Sequence, residues 1–361
     1  MKLHFNLLHI LLLIIIQINK FLQHSLEEIL RNSTISSFKK IESNIYMLNY
    51  QNNYYLRDLL NKGVQNQNEV KLFIGEKFGI NFDIKIQKND KVDSCTSFNV
   101  YNNKNQNLFC RNFDYPKLTP ALVVWTHPID GYRSISFVYS GFIGLFEGEE
   151  IIKERLLFSI YEIVDGFNEA GLALSILKIK NTTGTHQNDR SKKNVTSTVM
   201  IKGALDYCGN VLEAIQFFNK YNMQDISDTY TLHYMITDAQ GDSIIIEYVN
   251  NVMIVIKPYS IGSLKYSFVT NFFLFKPIGI GNDNGLDRFN ILKNTLQYDT
   301  IMEMDEAMNL LSKVRKNTTF WSNVYNTKEL TVVTALRQQY DVFYEFKIQK
   351  PNKYSKKNSL K

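Results

Sequence analysis

The sequence predicts an α+β sandwich: helices on two faces of antiparallel strands that pair as hairpins. Three observations predict it. Strand-like runs come in pairs around turn signals. Ala121 to Trp125 and Ser134 to Tyr139 flank Asp130-Gly131, and Leu232 to Thr237 and Ser243 to Val249 flank Asp238-Ala239-Gln240-Gly241. Helical stretches with an apolar face stand apart from those pairs. They are Ser197 to Asn219, with Val199, Ile201, Leu205, Val211, Ala214, Ile215 and Phe218, then Leu286 to Leu296 and Met302 to Leu311. The composition, 44% hydrophobic and 21% charged over 361 residues, is that of a globular chain with a large core.

Taken in order, Lys2 precedes an apolar run from Leu7 to Ile16, and polar Gln17, Asn19 and Lys20 follow. About ten apolar residues are too few to span a bilayer, which needs about 20. A positive start, a short apolar core and a polar exit predict a signal peptide over 1–24, cut near Gln23 to Ser25. The alternative is a buried helix or an uncleaved anchor. Residues 26 to about 80 read as helical, from Leu26, Ile29 and Leu30 and from Leu56, Leu59 and Leu60, with a polar break from Gly63 to Asn68. The charged stretch Lys88 to Asp93 is expected to be exposed. From Cys95 the character changes to strands. Thr96 to Tyr101 and Leu108 to Asp114 flank an Asn- and Lys-rich turn, which predicts a hairpin. Gly141 to Gly148 is a glycine-punctuated apolar loop, and Lys178 to Asn194 a polar surface loop. Val252 to Ile256, Leu330 to Ala335 and Val342 to Ile348 add strands. The tail, 351–361, is polar and basic, with Lys353, Lys356, Lys357 and Lys361, and reads as a solvated end.

The net charge of +6 is spread out, and no stripe combines Arg with stacking aromatics, so nucleic acid is not an expected partner. Four Asn-x-Ser/Thr sequons, at Asn32, Asn181, Asn194 and Asn317, become glycan sites behind a signal peptide. The three cysteines are an odd number, and a Cys110–Cys208 disulfide would leave Cys95 free.

A hairpin places Cys95, at the head of one strand, near Arg111 and Asp114, at the end of the next. A cationic neighbour favours the thiolate, and a carboxylate beside an amine holds a proton in transit. His127 precedes Pro128 in a turn, His186 lies in the polar loop and His233 lies in a strand, so a Cys–His pair is poorly supported. A cysteine without histidine needs another base, and the α-amino group of a freed N-terminal residue, with an ordinary pKa of about 8, serves. By residue types alone, Cys95 as a buried core thiol beside an Arg111–Asp114 ion pair is the stronger reading.

The run Cys95-Thr96-Ser97-Phe98, followed by Cys110-Arg111-Asn112-Phe113-Asp114-Tyr115-Pro116, resembles the nucleophile hairpin of a known superfamily. Its members are choloylglycine hydrolases, penicillin V acylases, acid ceramidases and N-acylethanolamine acid amidases. There a Cys is followed 16 residues later by Arg and 19 later by Asp; here 111 − 95 = 16 and 114 − 95 = 19. Further resemblances occur in the same order. They are Gly141 to Gly148, Asp165-Gly166-Phe167-Asn168-Glu169-Ala170-Gly171-Leu172, Asp238 to Tyr248, Thr270-Asn271-Phe272, Asp287-Arg288-Phe289, and Val324-Tyr325-Asn326 with Leu330-Thr331.

The resemblance covers Cys95 to about Phe346. It implies a four-layer αββα sandwich of the N-terminal-nucleophile hydrolase type, with a helical pre-segment over 25–94 and a catalytic domain over 95–350. It implies self-cleavage between Ser94 and Cys95 into two subunits that remain partners, and hydrolysis of linear amides without a cofactor or metal. The catalytic residues it implies are Cys95, Arg111, Asp114, Asn271 as oxyanion donor, and Arg288. Lys178 falls where the family often places Asn or Tyr, and takes no role. The glycine-rich loop, Tyr115-Pro116 and the long pre-segment favour a small-molecule lipid amide as substrate, of the N-acylethanolamine or ceramide type. Peripheral membrane contact and a lysosomal or extracellular location go with that reading. Bile-salt or penicillin-type amides are the alternative, and an inactive secreted glycoprotein with this fold is a second.

Overall fold

The computed structural model describes residues 2–42, 44–82, 94–116, 119–146, 148–180, 182–275, 284–350 and 353–359. The first helix, α1, runs unbroken from Lys2 to Ser36. The expected signal cleavage point therefore falls within a continuous helix. Strands β1 (Lys39–Glu42) and β2 (Ile45–Tyr50) come next, then helices α2 (Leu56–Lys62) and α3 (Gln67–Phe78). The expectation of an all-helical stretch from 26 to 80 is thus corrected. Ile45, Met47 and Leu48 are buried because β2 joins a sheet, which a short apolar run does not by itself distinguish from a helical stripe.

Strands β3 (Ser94–Tyr101) and β4 (Asn107–Asp114) form the hairpin read from the sequence, and β5 (Ala121–Thr126) and β6 (Ser134–Tyr139) the next. After β7 (Ile163–Asn168) and β8 (Ala173–Lys180), a short strand β9 (Asn194–Thr196) leads into α4 (Ser197–Tyr207) and α5 (Val211–Lys220). The side chain of Asn210 caps α5 by accepting the Glu213 N–H at 2.9 Å. Then come β10 (Asn222–Gln224), β11 (Tyr230–Thr237), β12 (Ser243–Val249) and β13 (Val252–Ile256). Strands β14 (Tyr259–Ile261), β15 (Leu264–Tyr266) and β16 (Phe268–Val269) precede α6 (Leu286–Leu296) and α7 (Met304–Lys313). Strands β17 (Thr319–Asn326), β18 (Thr331–Leu336), β19 (Phe343–Lys347) and β20 (Tyr354–Lys357) close the chain. The tail expected to be frayed therefore pairs with β19 along an exposed edge, and Lys356 reaches Glu42 at 2.6 Å.

Nine strands make one large sheet, ordered β1-β2-β5-β6-β7-β8-β11-β12-β13, seven make a second, ordered β16-β3-β4-β17-β18-β19-β20, and β9 with β10 and β14 with β15 form small separate pairs. The inner faces of the two large sheets meet through aromatic rings. Phe137 of the first sheet packs edge-on against Tyr325 of the second at 6.2 Å, and Phe167 lies 5.1 Å from the same tyrosine. Helices α4 and α5 cover the outer face of the nine-stranded sheet, and α6 and α7 that of the seven-stranded one. The layering is αββα, as expected. Strands β3, β4 and β17 are buried along their whole length because both of their faces are covered, which removes the usual alternation.

The segment before Cys95 is built into this sandwich. Strand β2 pairs in parallel with β5, Ile45 opposite Ala121 through Tyr50 opposite Thr126. Tyr54 donates its hydroxyl to Asp206 at 2.6 Å, and Asp206 forms a fully buried ion pair with Lys202. Gln67, at the start of α3, donates to Glu162 at 2.8 Å and to the Tyr161 carbonyl at 2.7 Å. Burial pushes the Glu162 carboxyl up to about 8, against the opposing effect of the Gln67 hydrogen bond. A carboxyl raised in the folded state stabilises the fold below its ordinary range and loses that contribution as pH rises through the folded value. Thermal denaturation should therefore show stability falling from about pH 4.5 and levelling beyond pH 8, and Glu162→Gln should flatten that dependence.

Candidate active site

Strand pairing assembles the site. In the β3–β4 ladder, Ser94 stands opposite Asp114, Cys95 opposite Phe113 and Ser97 opposite Arg111. On the other side of β3, Phe268 pairs with Phe98 and Val269 with Ser97. Continuing that antiparallel register brings Asn271 level with Cys95. The Cys95 backbone N–H donates to Asn271 Oδ1 at 2.7 Å. Arg288, from the first turn of α6, donates to the same oxygen at 2.9 Å and to the Cys95 carbonyl at 2.6 Å. It also donates to Thr96 Oγ1 at 2.5 Å. The guanidinium is 2% exposed, so it is no solvated helix residue. Its approach needs Gly285, which has φ +92° and would place any Cβ against Arg288 Nη2 and Thr270.

Cys95 itself is 2% exposed. Burial pushes its thiol up, the Arg111 guanidinium opposes that, and the Asp114 carboxylate adds to it. Arg111 is fully buried, donates to the Ile176 carbonyl at 2.6 Å and lies 3.6 Å from Asp165. Asp165 accepts from Trp321 Nε1 and from Asn323 Nδ2, each at 3.0 Å, and from the Tyr325 hydroxyl. Asp114 accepts from Thr319 Oγ1 at 2.6 Å, while its other oxygen is buried without a hydrogen bond. Burial raises the Asp114 carboxyl to about 6, against the pull of Arg288, Thr319, Arg111 and Lys316. The Ser94 side of the bond is also held, since Lys316 Nζ donates to Ser94 Oγ at 3.2 Å. Among the described residues no group of His, Cys, Asp and Glu is placed to hold a metal.

The five expected site residues therefore lie around one backbone position. The stretch Lys88 to Asp93, expected to be exposed, lies outside the described residues, and Ser94 is buried at the start of β3. One detail differs from expectation. The Asn271 amide, expected to offer N–H groups to an oxyanion, here donates from Nδ2 to the Lys178 carbonyl at 2.7 Å. Asp165, Lys316 and the buried pair of His233 and Glu247 were not singled out from sequence. For Asp165 the signal was present, as the first residue of the Asp-Gly-Phe-Asn-Glu segment; Lys316 carried none.

Other expectations also meet the structure. All three cysteines are free. Cys110 faces the core beneath α6 and α7, while Cys208 caps α4 on the other outer layer. The Cys110–Cys208 pairing is thus overturned, because a disulfide needs Cα atoms within about 7 Å. In the Gly141–Gly148 loop, Ile143 and Leu145 are core residues, whereas Phe142 is half-buried and packs edge-on against Tyr115 at 5.7 Å. Strand alternation puts Lys178 on the face opposite Ser175, which bonds Ser97 across the sheets at 2.9 Å. Asn32 and Asn317 are exposed, and Asn194 is half-buried and accepts from Asn222 at 2.9 Å. Asn181 lies outside the described residues.

Residues 95–267 match the family model described as linear amide C–N hydrolases, choloylglycine hydrolase family. Similar solved structures include a mutant of the conjugated bile acid hydrolase from Clostridium perfringens. It is 13% identical, covers 74% of this chain and 97% of its own, and has a TM-score of 0.49. Another is penicillin V acylase from Agrobacterium tumefaciens, with 17% identity, 67% and 83% coverage and a TM-score of 0.44. A third is the Caenorhabditis elegans ortholog of N-acylethanolamine-hydrolyzing acid amidase, with 16% identity, 65% and 93% coverage and a TM-score of 0.43. No curated protein matches the chain.

Proposed function

We propose that this chain, whose residues 95–267 match the family of linear amide C–N hydrolases, is such a hydrolase, made as a precursor that breaks its own Ser94–Cys95 bond. It then hydrolyses lipid N-acyl amides with Cys95 as an N-terminal nucleophile. The observation that carries this reading is the treatment of one backbone nitrogen. The Cys95 N–H is received by a side chain, Asn271 Oδ1, itself held by Arg288. A site built around a main-chain nitrogen has a chemical use once that nitrogen is a free amine.

In the first reaction the Cys95 thiol loses its proton and attacks the Ser94 carbonyl carbon. The C–N bond breaks, the Cys95 nitrogen leaves as an amine after taking a proton, and a thioester joins Ser94 to Cys95. Water then cleaves the thioester, giving a Ser94 carboxylate and a free Cys95 amino terminus. Asp114, opposite Ser94 and raised to about 6, is a proton source for the leaving nitrogen below that pH. In the second reaction the α-amine takes the thiol proton, sulfur attacks the substrate carbonyl, and the leaving amine departs protonated. Water again releases the acyl group. Asn271, freed from the Lys178 carbonyl, is the oxyanion donor, a role whose removal typically costs about 2.7–4 kcal/mol.

A row of aromatic rings supports the lipid substrate. Phe113, the cross-strand neighbour of Cys95, stacks on Tyr115 at 6.1 Å, and Tyr115 meets Phe142 of the glycine-rich loop. Such a row suits an acyl chain, at about 0.8 kcal/mol per buried methylene. Leu26 and Ile29, beyond the expected signal cleavage point, are exposed on α1 and suit contact with a lipid surface. Exposed Asn32 and Asn317 are the sequons best placed for glycans on a protein of the secretory pathway. A chain-length series of fluorogenic N-acyl amides, run beside glycocholate and penicillin V, tests the substrate. Specificity should rise with acyl length. Equal or better turnover of glycocholate or penicillin V would replace the lipid reading with one of those substrates.

A further inference from the structure

We infer that His233 and Glu247 are positioning residues that clamp the segment carrying Asn271 and so set the oxyanion donor in place. The inference rests on the proposed role of Asn271. The β11–β12 ladder pairs Tyr234 with Ile246, and its continuation sets His233 opposite Glu247. Both side chains are fully buried, and they meet at 3.2 Å, His233 Nδ1 to Glu247 Oε1. Glutamate is seldom fully buried without a partner, and here each of the two side chains also holds backbone of another layer. His233 Nε2 lies 2.8 Å from the Thr270 carbonyl, the residue before Asn271. Glu247 accepts the N–H of Leu274 at 2.9 Å on Oε1 and that of Phe275 at 3.1 Å on Oε2.

The clamp therefore grips the segment on both sides of Asn271. Strand β16 is two residues long, too short for its own ladder to fix the residues after it. Beyond Val269 the ladder with β3 ends, and the Thr270 oxygen and the Leu274 and Phe275 nitrogens find partners on the opposite sheet. Thr270 adds a bond from its hydroxyl to the Gly285 carbonyl at 3.1 Å, the same glycine that admits Arg288. Thus the nine-stranded sheet, through two side chains, determines where the Asn271 amide stands relative to a nucleophile on the seven-stranded sheet. Misplacement by about 1 Å of a group that meets the transition state costs up to about 100-fold in rate.

Two measurements test this. The first is amide hydrogen exchange on the inert Cys95→Ala chain, with and without His233→Phe. The Leu274 and Phe275 amides should exchange faster in the double variant while β3 and β4 are unchanged. Unchanged exchange at these two amides overturns the clamp. This arm needs no activity, so it stands even if the chain proves to hydrolyse no amide, an outcome that would sink the proposed function alone. The second is a double-mutant cycle on processed enzyme. His233→Phe should lower kcat roughly 10- to 100-fold with KM within about twofold, and should add little in an Asn271→Ala background. His233→Gln, which keeps an amide donor toward Thr270, should recover most of kcat and covers the case in which His233→Phe does not fold. Multiplicative losses in the cycle, or a loss confined to thermal stability, overturn the positioning role.

Discussion

Cys95→Ala is expected to yield a chain uncut at Ser94–Cys95, with no measurable amide hydrolysis. The thiol sulfur is the attacking atom in both proposed reactions, and removing a nucleophile costs on the order of 10⁶-fold in kcat. Mass spectrometry after folding, at neutral pH and after acidification, reads the first effect; a fluorogenic amide reads the second. Cys95→Ser separates them, since a hydroxyl can still carry the slow single turnover of self-cleavage while hydrolysing substrate poorly. Cleavage of the alanine variant at Ser94–Cys95 without added protease would exclude self-processing. In the unaltered chain, processing should be favoured below about pH 6, where Asp114 holds a proton, and Asp114→Asn should remove that pH dependence.

Asp165→Ala should destabilise the fold by about 3–5 kcal/mol, the usual consequence of leaving a buried charge without its partner. Arg111 is fully buried, and its Nε and Nη1 atoms make no hydrogen bond, so Asp165 is its only described counter-charge within ion-pair distance. Three donors on β17 hold the carboxylate where Arg111 meets it. Urea denaturation measures the loss. The pair Asp165→Leu with Arg111→Met, which replaces both charges by apolar groups, should return much of the stability yet leave Cys95 without the cation that opposes its raised pKa. A stable but inactive double variant, beside an unstable single one, would divide the cost of the fold from that of the chemistry. A single variant as stable as the parent would show that Arg111 does not depend on Asp165.

The hairpin around Cys95 was legible because its signals are local: two strand-like runs about a polar turn, with 16 and 19 residues setting Arg111 and Asp114 from Cys95. Asn271 and Arg288 were legible only through resemblance, since the feature that brings Asn271 level with Cys95 is a two-residue strand, β16, with no pattern of its own. Strand β2 was read as helix because six residues hold too little periodicity, and its pairing with β5 is decided some 75 residues along the chain. Cys110 and Cys208 count as a pair in a tally, but strand alternation and helix position send them to opposite outer layers. Asp165 stood in a quoted segment and His233 was weighed only as a base for Cys95; their contacts were not legible because each is set by partners on other strands.

Strand β2 stands between β1 and β5, and through it the segment ahead of Cys95 becomes sheet rather than cover. A gene beginning at Cys95 would supply the free amino terminus at once and omit self-cleavage. It would also strip β5 of its parallel neighbour and turn a buried, largely apolar strand, Ala121–Thr126, into a raw edge. Exposed edges of that kind recruit other chains. Under the proposed self-cleavage, synthesis as a single precursor would act as a stoichiometric chaperone: each chain would be made with the strand that covers the edge of its sheet, and the cut would come after that strand is seated.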